Sequence, residues 1–197
     1  VLLQELQHRV ANSLQIIASV LMQSARRVQS EETRLHLHDA HSRVMSIAML
    51  QKQLAVTQLR SVELRAYFAD LCRSISASMI DDPQRLTLET IVDDTSTNSD
   101  VSVSMGLIVT ELVINAIKHA FPDQRADGRI IVSFAAREED WLLSVSDNGA
   151  GIPSGEEHGK PGLGTGIVEA LSKQLEATVT VIDAKPGTRV EVRHGQS

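Results

Sequence analysis

The sequence holds one cysteine, Cys72, in 197 residues. That excludes an internal disulfide framework and any zinc site built on several thiolates. Aromatic residues make up 3% of the chain, and Tyr67, Phe68, Phe121, Phe134 and Trp141 are the whole supply. A platform for stacking nucleobases needs more. A cationic surplus is missing too: the net charge is −6, which argues against binding to a phosphate backbone. No run reaches the roughly 18 consecutive apolar residues of a membrane span, and no basic-then-apolar leader opens the chain. Neither proline nor glycine occurs in the first 56 residues. What is present is ordinary for a globular protein, 42% hydrophobic and 22% charged, and the chain is long enough to bury a core. Val1 already falls in a periodic segment. The chain therefore reads as a fragment of a longer cytoplasmic protein, with no membrane insertion by this segment and no nucleic-acid partner.

Charge is unevenly spread. Through residue 57 there are six Lys/Arg against four Asp/Glu, and beyond it 13 against 21. This suggests two domains, 1–57 and 58–197. In the first, Leu3, Leu6, Val10, Leu14, Ile17, Leu21 and Val28 recur at helical steps with a coiled-coil-like seam. Ser30 is a candidate N-cap after the interruption at 29–32. A second run follows through Leu37, His41, Val44, Ala48, Leu50 and Leu54. One antiparallel hairpin cannot bury both of its apolar stripes, whereas two hairpins form a four-helix bundle, so a homodimer is expected.

Beyond Leu59 helices and strands mix. The expected order is a helix over 61–79 with Ser61 as cap, a strand over 85–92, a polar loop over 93–100 and a buried helix over 101–120. Strands over 129–137 and 141–146 follow, then a Gly-rich loop over 148–164 and a helix over about 165–175. Strands over 178–183 and 188–193 close the chain. Such a series makes an α+β sandwich, a sheet with helices on one face.

Three segments carry candidate chemistry. Glu111 and Asn115 are four apart on a helix, and Lys118 is three further on, so a carboxylate, an amide oxygen and an ammonium share one side. Such a set suits a magnesium-bound phosphate, or simply a helix face turned to solvent. Asp147-Asn148-Gly149-Ala150-Gly151 ends a strand. Its glycines permit a tight turn and close approach to a ligand, although D-N-G is also an ordinary turn signal. Gly162-Leu163-Gly164-Thr165-Gly166 opens a helix, where bare backbone amides bind phosphate. It is neither a P-loop nor a dinucleotide fingerprint, because no Gly-Lys-Ser/Thr follows and a loop precedes it.

Taken in order, and with Gly187-Thr188 before the last strand, residues 60–194 resemble the GHKL (Bergerat) ATP-binding domain shared by histidine kinases, gyrase-type topoisomerases, Hsp90-type chaperones and MutL-type repair proteins. The resemblance implies ATP and Mg²⁺ as ligands. It implies that Asn115 coordinates the metal with Glu111 beside it, and that Lys118 and His119 face the phosphates. Asp147 would read the adenine amino group, with Gly149 and Gly151 shaping the pocket. Gly162, Gly164 and Gly166 would belong to the lid and phosphate loop, and Thr188 would touch the adenine side. The lid over 152–163 is expected to be mobile without nucleotide.

In the first domain, His8-Arg9-Val10-Ala11-Asn12-Ser13-Leu14-Gln15 is similar to the H-box of bacterial sensor histidine kinases, specifically the HWE-related class. His8 and Asn12 lie one turn apart, and an imidazole is a competent nucleophile toward phosphorus. Arg9 stands where the common kinases carry an acidic residue, and Glu5, at i−3, is a candidate substitute base. His36, His38 and His41 read as surface or seam residues. The resemblance implies a histidine kinase core: Mg-ATP-dependent phosphorylation of His8, then transfer to an Asp on the receiver domain of a response regulator. It also implies an upstream sensor domain outside the fragment. The rival is a histidine phosphotransfer adaptor whose ATPase-like domain binds no nucleotide. A chaperone or topoisomerase fragment gives no role to His8 or the hairpin.

Overall fold

The structure is a computed structural model. It describes residues 2–31, 33–34, 36–37, 40–41, 43–45, 47–48, 61–80, 82–122, 127–151 and 163–195, and the side chains of 2–9, 11 and 163–165 lie outside that description. The chain divides into two compact units, Val1–Arg60 and Ser61–Ser197.

The first unit opens with helix α1 (Leu2–Arg27), whose last turn carries Arg26 and Arg27 where the helix dipole favours cations. After a break at 28–30, the described residues between 31 and 48 are helical again. Ser30 starts this second run as expected. Its Oγ accepts from Thr33 N at 3.3 Å, and its carbonyl accepts from Arg34 N at 3.0 Å. Small side chains let the two runs approach: Ala18, Ala25 and Ala48 are buried, and His41 donates from Nδ1 to Ala18 O at 2.9 Å. His41 is thus a seam residue and His36 is exposed, while His38, Leu50 and Leu54 lie outside the described residues.

Within this chain only part of the expected seam is covered: Leu14, Leu21 and Val28 are half-buried. Val10 and Ile17 stand exposed within this chain, together with Ile16 and Val20. At about 100° per residue, Val10 and Ile17 lie well round the helix from the Ala18–Ala25 line, toward the uncovered edge of the seam.

The second unit comprises β1 (Val62–Glu63), α2 (Leu64–Met79), β2 (Leu86–Val92), β3 (Ser96–Thr97), α3 (Ser99–His119), β4 (Gly128–Arg137), β5 (Asp140–Asp147), α4 (Leu163–Gln174), β6 (Ala177–Asp183) and β7 (Thr188–His194). Five strands form a mixed sheet in the order β2-β4-β5-β7-β6, with β2 parallel to β4 and the other pairs antiparallel. Alternation sorts its two faces. Ile130, Val132, Phe134, Leu143, Val145 and Val192 are buried toward the helices. On the intervening positions Ser133 and Ser144 join hydroxyls at 2.8 Å, and Glu191 lies between Arg189 and Arg193. The sandwich expected from the sequence is the observed fold.

Two local expectations are corrected. Ser61 does not cap α2, because Val62–Glu63 pairs with Ser96–Thr97 as a short antiparallel ribbon. The helix starts only at Leu64, whose N–H donates to Thr95 O at 3.0 Å in place of a side-chain cap. The segment expected as a polar loop over 93–100 accordingly contains β3 and the true cap of α3, Asn98, whose Oδ1 accepts from Val101 N at 2.9 Å. Helix α4 begins at Leu163, two residues earlier than expected, which places Gly164 and Gly166 inside it.

Phe68, Leu64 and Leu71 of α2 and Met105, Ile108, Val109 and Val113 of α3 form the core against the sheet. Tyr67, Phe68, Phe134, Trp141 and His194 make a run of ring contacts with centroids 5.5 to 6.3 Å apart. Cys72 sits in this core, where burial pushes its thiol up to about 12, so it acts as a small apolar side chain. Helix α3 is long and apolar enough to cross a membrane by length and composition, but here it is the mostly buried central helix of the sandwich.

Candidate nucleotide site

Between the last turns of α3, helix α4 and strands β5, β6 and β7 lies a cavity of about 820 Å³. Helix α3 offers it Leu112, Asn115, Ala116 and His119, one face at i, i+3, i+4 and i+7. The strands supply an apolar wall of Val145 and Val190, and Val168 of α4 continues it. Asp147 enters at the end of β5, Thr188 at the start of β7, and Gly151 from the loop after β5.

Asp147 is fixed before any ligand arrives. Its Oδ1 accepts from Gly149 N at 2.9 Å and from Thr188 N at 3.2 Å. The loop around it is drawn tight. Ala150 N donates to Ala120 O at 2.8 Å, and a Cβ on Gly149 would stand 2.1 Å from that carbonyl oxygen. Gly187 packs against the other side: its φ is 92°, and a Cβ there would meet Asp147 O at 1.9 Å. Glycine at both places is a demand of backbone packing.

Of the residues singled out from the sequence, Asn115, His119, Asp147, Gly151 and Thr188 line one cavity, and Gly149 buttresses it. Glu111 and Lys118 are not on its wall. Each residue turns the helix by about 100°, so Lys118 lies some 100° from its neighbour His119, and the cavity takes the Leu112–His119 side. Glu111 is 3% exposed, one turn before Asn115. Lys118 is half-buried, and desolvation lowers its ammonium pKa. Among the described residues, the lysine that lines the cavity is Lys173 of α4, together with Glu169 and the buried Ser172. Their signal was the i, i+3, i+4 pattern of α4.

Gly166 lies exposed in α4 with nothing within 4 Å of a built Cβ, so the fold itself does not require glycine there. Gly164 is helical, while Gly162 and the segment 152–162 lie outside the described residues. In the other unit, His8 and Asn12 both fall in α1, one turn apart. Asn12 is exposed, and the side chain of His8 is not described.

A family described as "Histidine kinase" matches residues 5–79, and one described as "Histidine kinase-, DNA gyrase B-, and HSP90-like ATPase" matches residues 100–195. The chain belongs to the sensor histidine kinases. It is 33% identical over 196 residues to Sensor histidine kinase PdtaS of Mycobacterium tuberculosis, an overlap of 97% of this chain and 38% of that protein. It is 28% identical to Blue-light-activated histidine kinase 2 of Erythrobacter litoralis, over 96% of this chain and 56% of that protein. The chain thus spans between about two fifths and just over half of these relatives. Among solved structures, the histidine kinase domain from Erythrobacter litoralis EL346 blue-light activated histidine kinase matches with a TM-score of 0.67 and 25% identity. That overlap covers 91% of this chain and 94% of the other. In this histidine kinase chain, the H-box and the cavity fall within the two separately matched regions.

The cavity residues suit a nucleotide. Asp147 presents an acceptor at the end of an apolar slot, and Asn115 presents an amide oxygen. Among the described residues no group of three or more His, Cys, Asp or Glu is placed to hold a metal ion. A magnesium ion bound to phosphates commonly takes one or two protein oxygens, and Asn115 on the cavity wall has an amide oxygen of that kind.

Proposed function

We propose that this chain binds Mg-ATP in the cavity of the second unit, transfers the γ-phosphoryl group to His8, and then passes it to an Asp on a response regulator receiver domain. The observation that carries this reading is the joint placement of Asn115, His119, Asp147, Gly151 and Thr188 around one cavity, in a chain that also holds the His8–Asn12 box. With Oδ1 of Asp147 occupied by two backbone amides, Oδ2 is the oxygen left to accept from the adenine amino group. Asn115 is the proposed metal ligand, with Glu111 beside it on α3, and His119 is assigned to the phosphate side. Magnesium, when bound, supplies charge neutralisation on the phosphates. The imidazole of His8 attacks the γ-phosphorus: a P–N bond forms, the bond to the bridging oxygen breaks, and ADP leaves with that oxygen. In such transfers the protein chiefly positions groups and stabilises charge. The cytoplasm, where ATP is available, is the proposed setting, and input from a sensor domain outside residues 1–197 belongs to the same proposal.

Calorimetric titration separates this kinase from an adaptor that binds no nucleotide. Wild type is expected to bind ATP well and GTP poorly, because GTP offers a carbonyl where adenine offers an amine. Loss of a charge-assisted hydrogen bond costs roughly 1.5–3 kcal/mol, about ten- to 150-fold in affinity. That is the expected penalty for Asp147→Asn, with or without magnesium. Asn115→Ala is expected to cost much more with magnesium present than with it chelated. An Asn115→Ala loss that ignores magnesium would contradict the metal role, and equal binding of GTP would contradict the role of Asp147.

Assembly belongs to the same reading. Val10, Ile16, Ile17 and Val20 form an exposed apolar stripe on α1, as a helix awaiting a second hairpin would show. Light scattering is expected to give twice 21.5 kDa. A monomer throughout the micromolar range would contradict the four-helix bundle.

A further inference from the structure

Strand β5 ends at Asp147, and within two residues the chain must turn so that Gly149 lies against Ala120. Asn148 makes that departure possible. Its N–H donates to Arg129 O at 3.2 Å, which extends the β4–β5 ladder by one bond. The return bond is made by the side chain: Arg129 N donates to Asn148 Oδ1 at 2.7 Å. The amide oxygen thus stands in for the peptide oxygen that a strand residue would offer, and the backbone of 148 is released to turn. The same amide donates from Nδ2 to Asp127 O at 2.9 Å. Asp127 has a φ of 73°, in the region that Asp and Asn tolerate. Arg129 is itself tied to the neighbouring strand, with Nε and Nη2 reaching Glu89 Oε1 and Oε2 at 3.0 and 2.6 Å.

We propose that Asn148 is a positioning residue for the nucleotide site, clamping the loop to β4 so that its two neighbours, Asp147 and Gly149, are held in binding geometry. This rests on reading the cavity as the ATP site. Asn148 itself points at β4 and acts through those neighbours: Asp147 receives Gly149 N and Thr188 N, and the chain beyond is pinned by Ala150 N to Ala120 O. The clamp needs an acceptor and a donor on one planar group, which asparagine provides. Aspartate keeps the acceptor for Arg129 N and loses the donor toward Asp127 O. Alanine loses both. Because Asn148 is only half-buried, water can take over the freed groups, so the fold survives while the loop loses its fixed position.

The test compares wild type, Asn148→Ala and Asn148→Asp in the full chain. Asn148→Ala is expected to weaken ATP binding about tenfold, the equivalent of about one net hydrogen bond. Asn148→Asp is expected to weaken it less, by roughly threefold. Phosphorylation at saturating ATP should stay at the wild-type rate in both, and melting temperature should stay within a few degrees. Without nucleotide, amide exchange at Gly149 and Ala150 should speed up about tenfold in Asn148→Ala. Wild-type affinity in Asn148→Ala, or a loss that merely follows a lower melting temperature, overturns the positioning role. Unchanged exchange at Gly149 and Ala150 overturns it even if wild type binds no ATP, an outcome that would instead count against the nucleotide reading.

Discussion

His8→Ala should reduce phosphoprotein formation to background while leaving ATP affinity at the wild-type value. The two effects separate because the described residues that line the cavity fall between 112 and 190, none of them on α1. The expected loss is complete, since the substitution removes the atom that forms the new bond and not a group that assists it. Two of the other histidines have partners of their own. His41 already donates to Ala18 O across the hairpin, and His194 stacks on Trp141 and bonds Leu175 O at 2.9 Å. Phosphate mapped to His36, His38 or His41 would contradict the assignment, as would undiminished labelling of His8→Ala.

Gly187→Ala should be the most damaging single methyl group in the second unit. The backbone there has a φ of 92°, which L-residues rarely adopt, and the added Cβ would lie 1.9 Å from Asp147 O. Either β7 or the end of β5 must move, and both carry site residues. Backbone strain and a backbone clash together put the expected destabilisation at roughly 4 kcal/mol or more, the range that marks a specific structural conflict. ATP binding should be lost even where the variant remains folded, because Thr188 N and Asp147 Oδ1 lose their alignment. Gly166→Ala is the contrast. With nothing within 4 Å of its Cβ and a helical backbone, it should gain up to about 1 kcal/mol. Urea midpoints of the two variants check both signs. Equal stability of Gly187→Ala and wild type would contradict the described packing at Asp147.

Much of this fold was legible in the sequence because its signals are periodic. The alternation of Ile130, Val132 and Phe134 and the step pattern of α3 each repeat often enough to be read. The ribbon of Val62–Glu63 with Ser96–Thr97 was not legible, since two-residue strands have no period and their pairing is set by tertiary closeness. The seam positions of α1 share one arc of the helix, but periodicity does not say which edge of that arc the second helical run covers, and Val10 and Ile17 stay exposed within this chain. At the site, Asp147, Asn115 and Thr188 could be found by motif order. Lys118 could not be assigned to the cavity side, because a three-residue step permits a shared face without fixing which side meets the sheet. Asn148 was hidden within D-N-G, which reads the same whether the asparagine merely tolerates a turn or, as here, bonds both Arg129 N and Asp127 O.

The most direct test of the central claim is incubation of the full chain with γ-labelled ATP and magnesium, followed by measurement of the label's stability in acid and alkali and by peptide mapping. A phosphoramidate hydrolyses in acid and survives alkali, whereas a serine or threonine ester resists acid. The expected result is an acid-labile, alkali-stable label on the peptide that contains His8. An acid-stable label, or no label on protein that demonstrably binds ATP, would contradict phosphoryl transfer to His8.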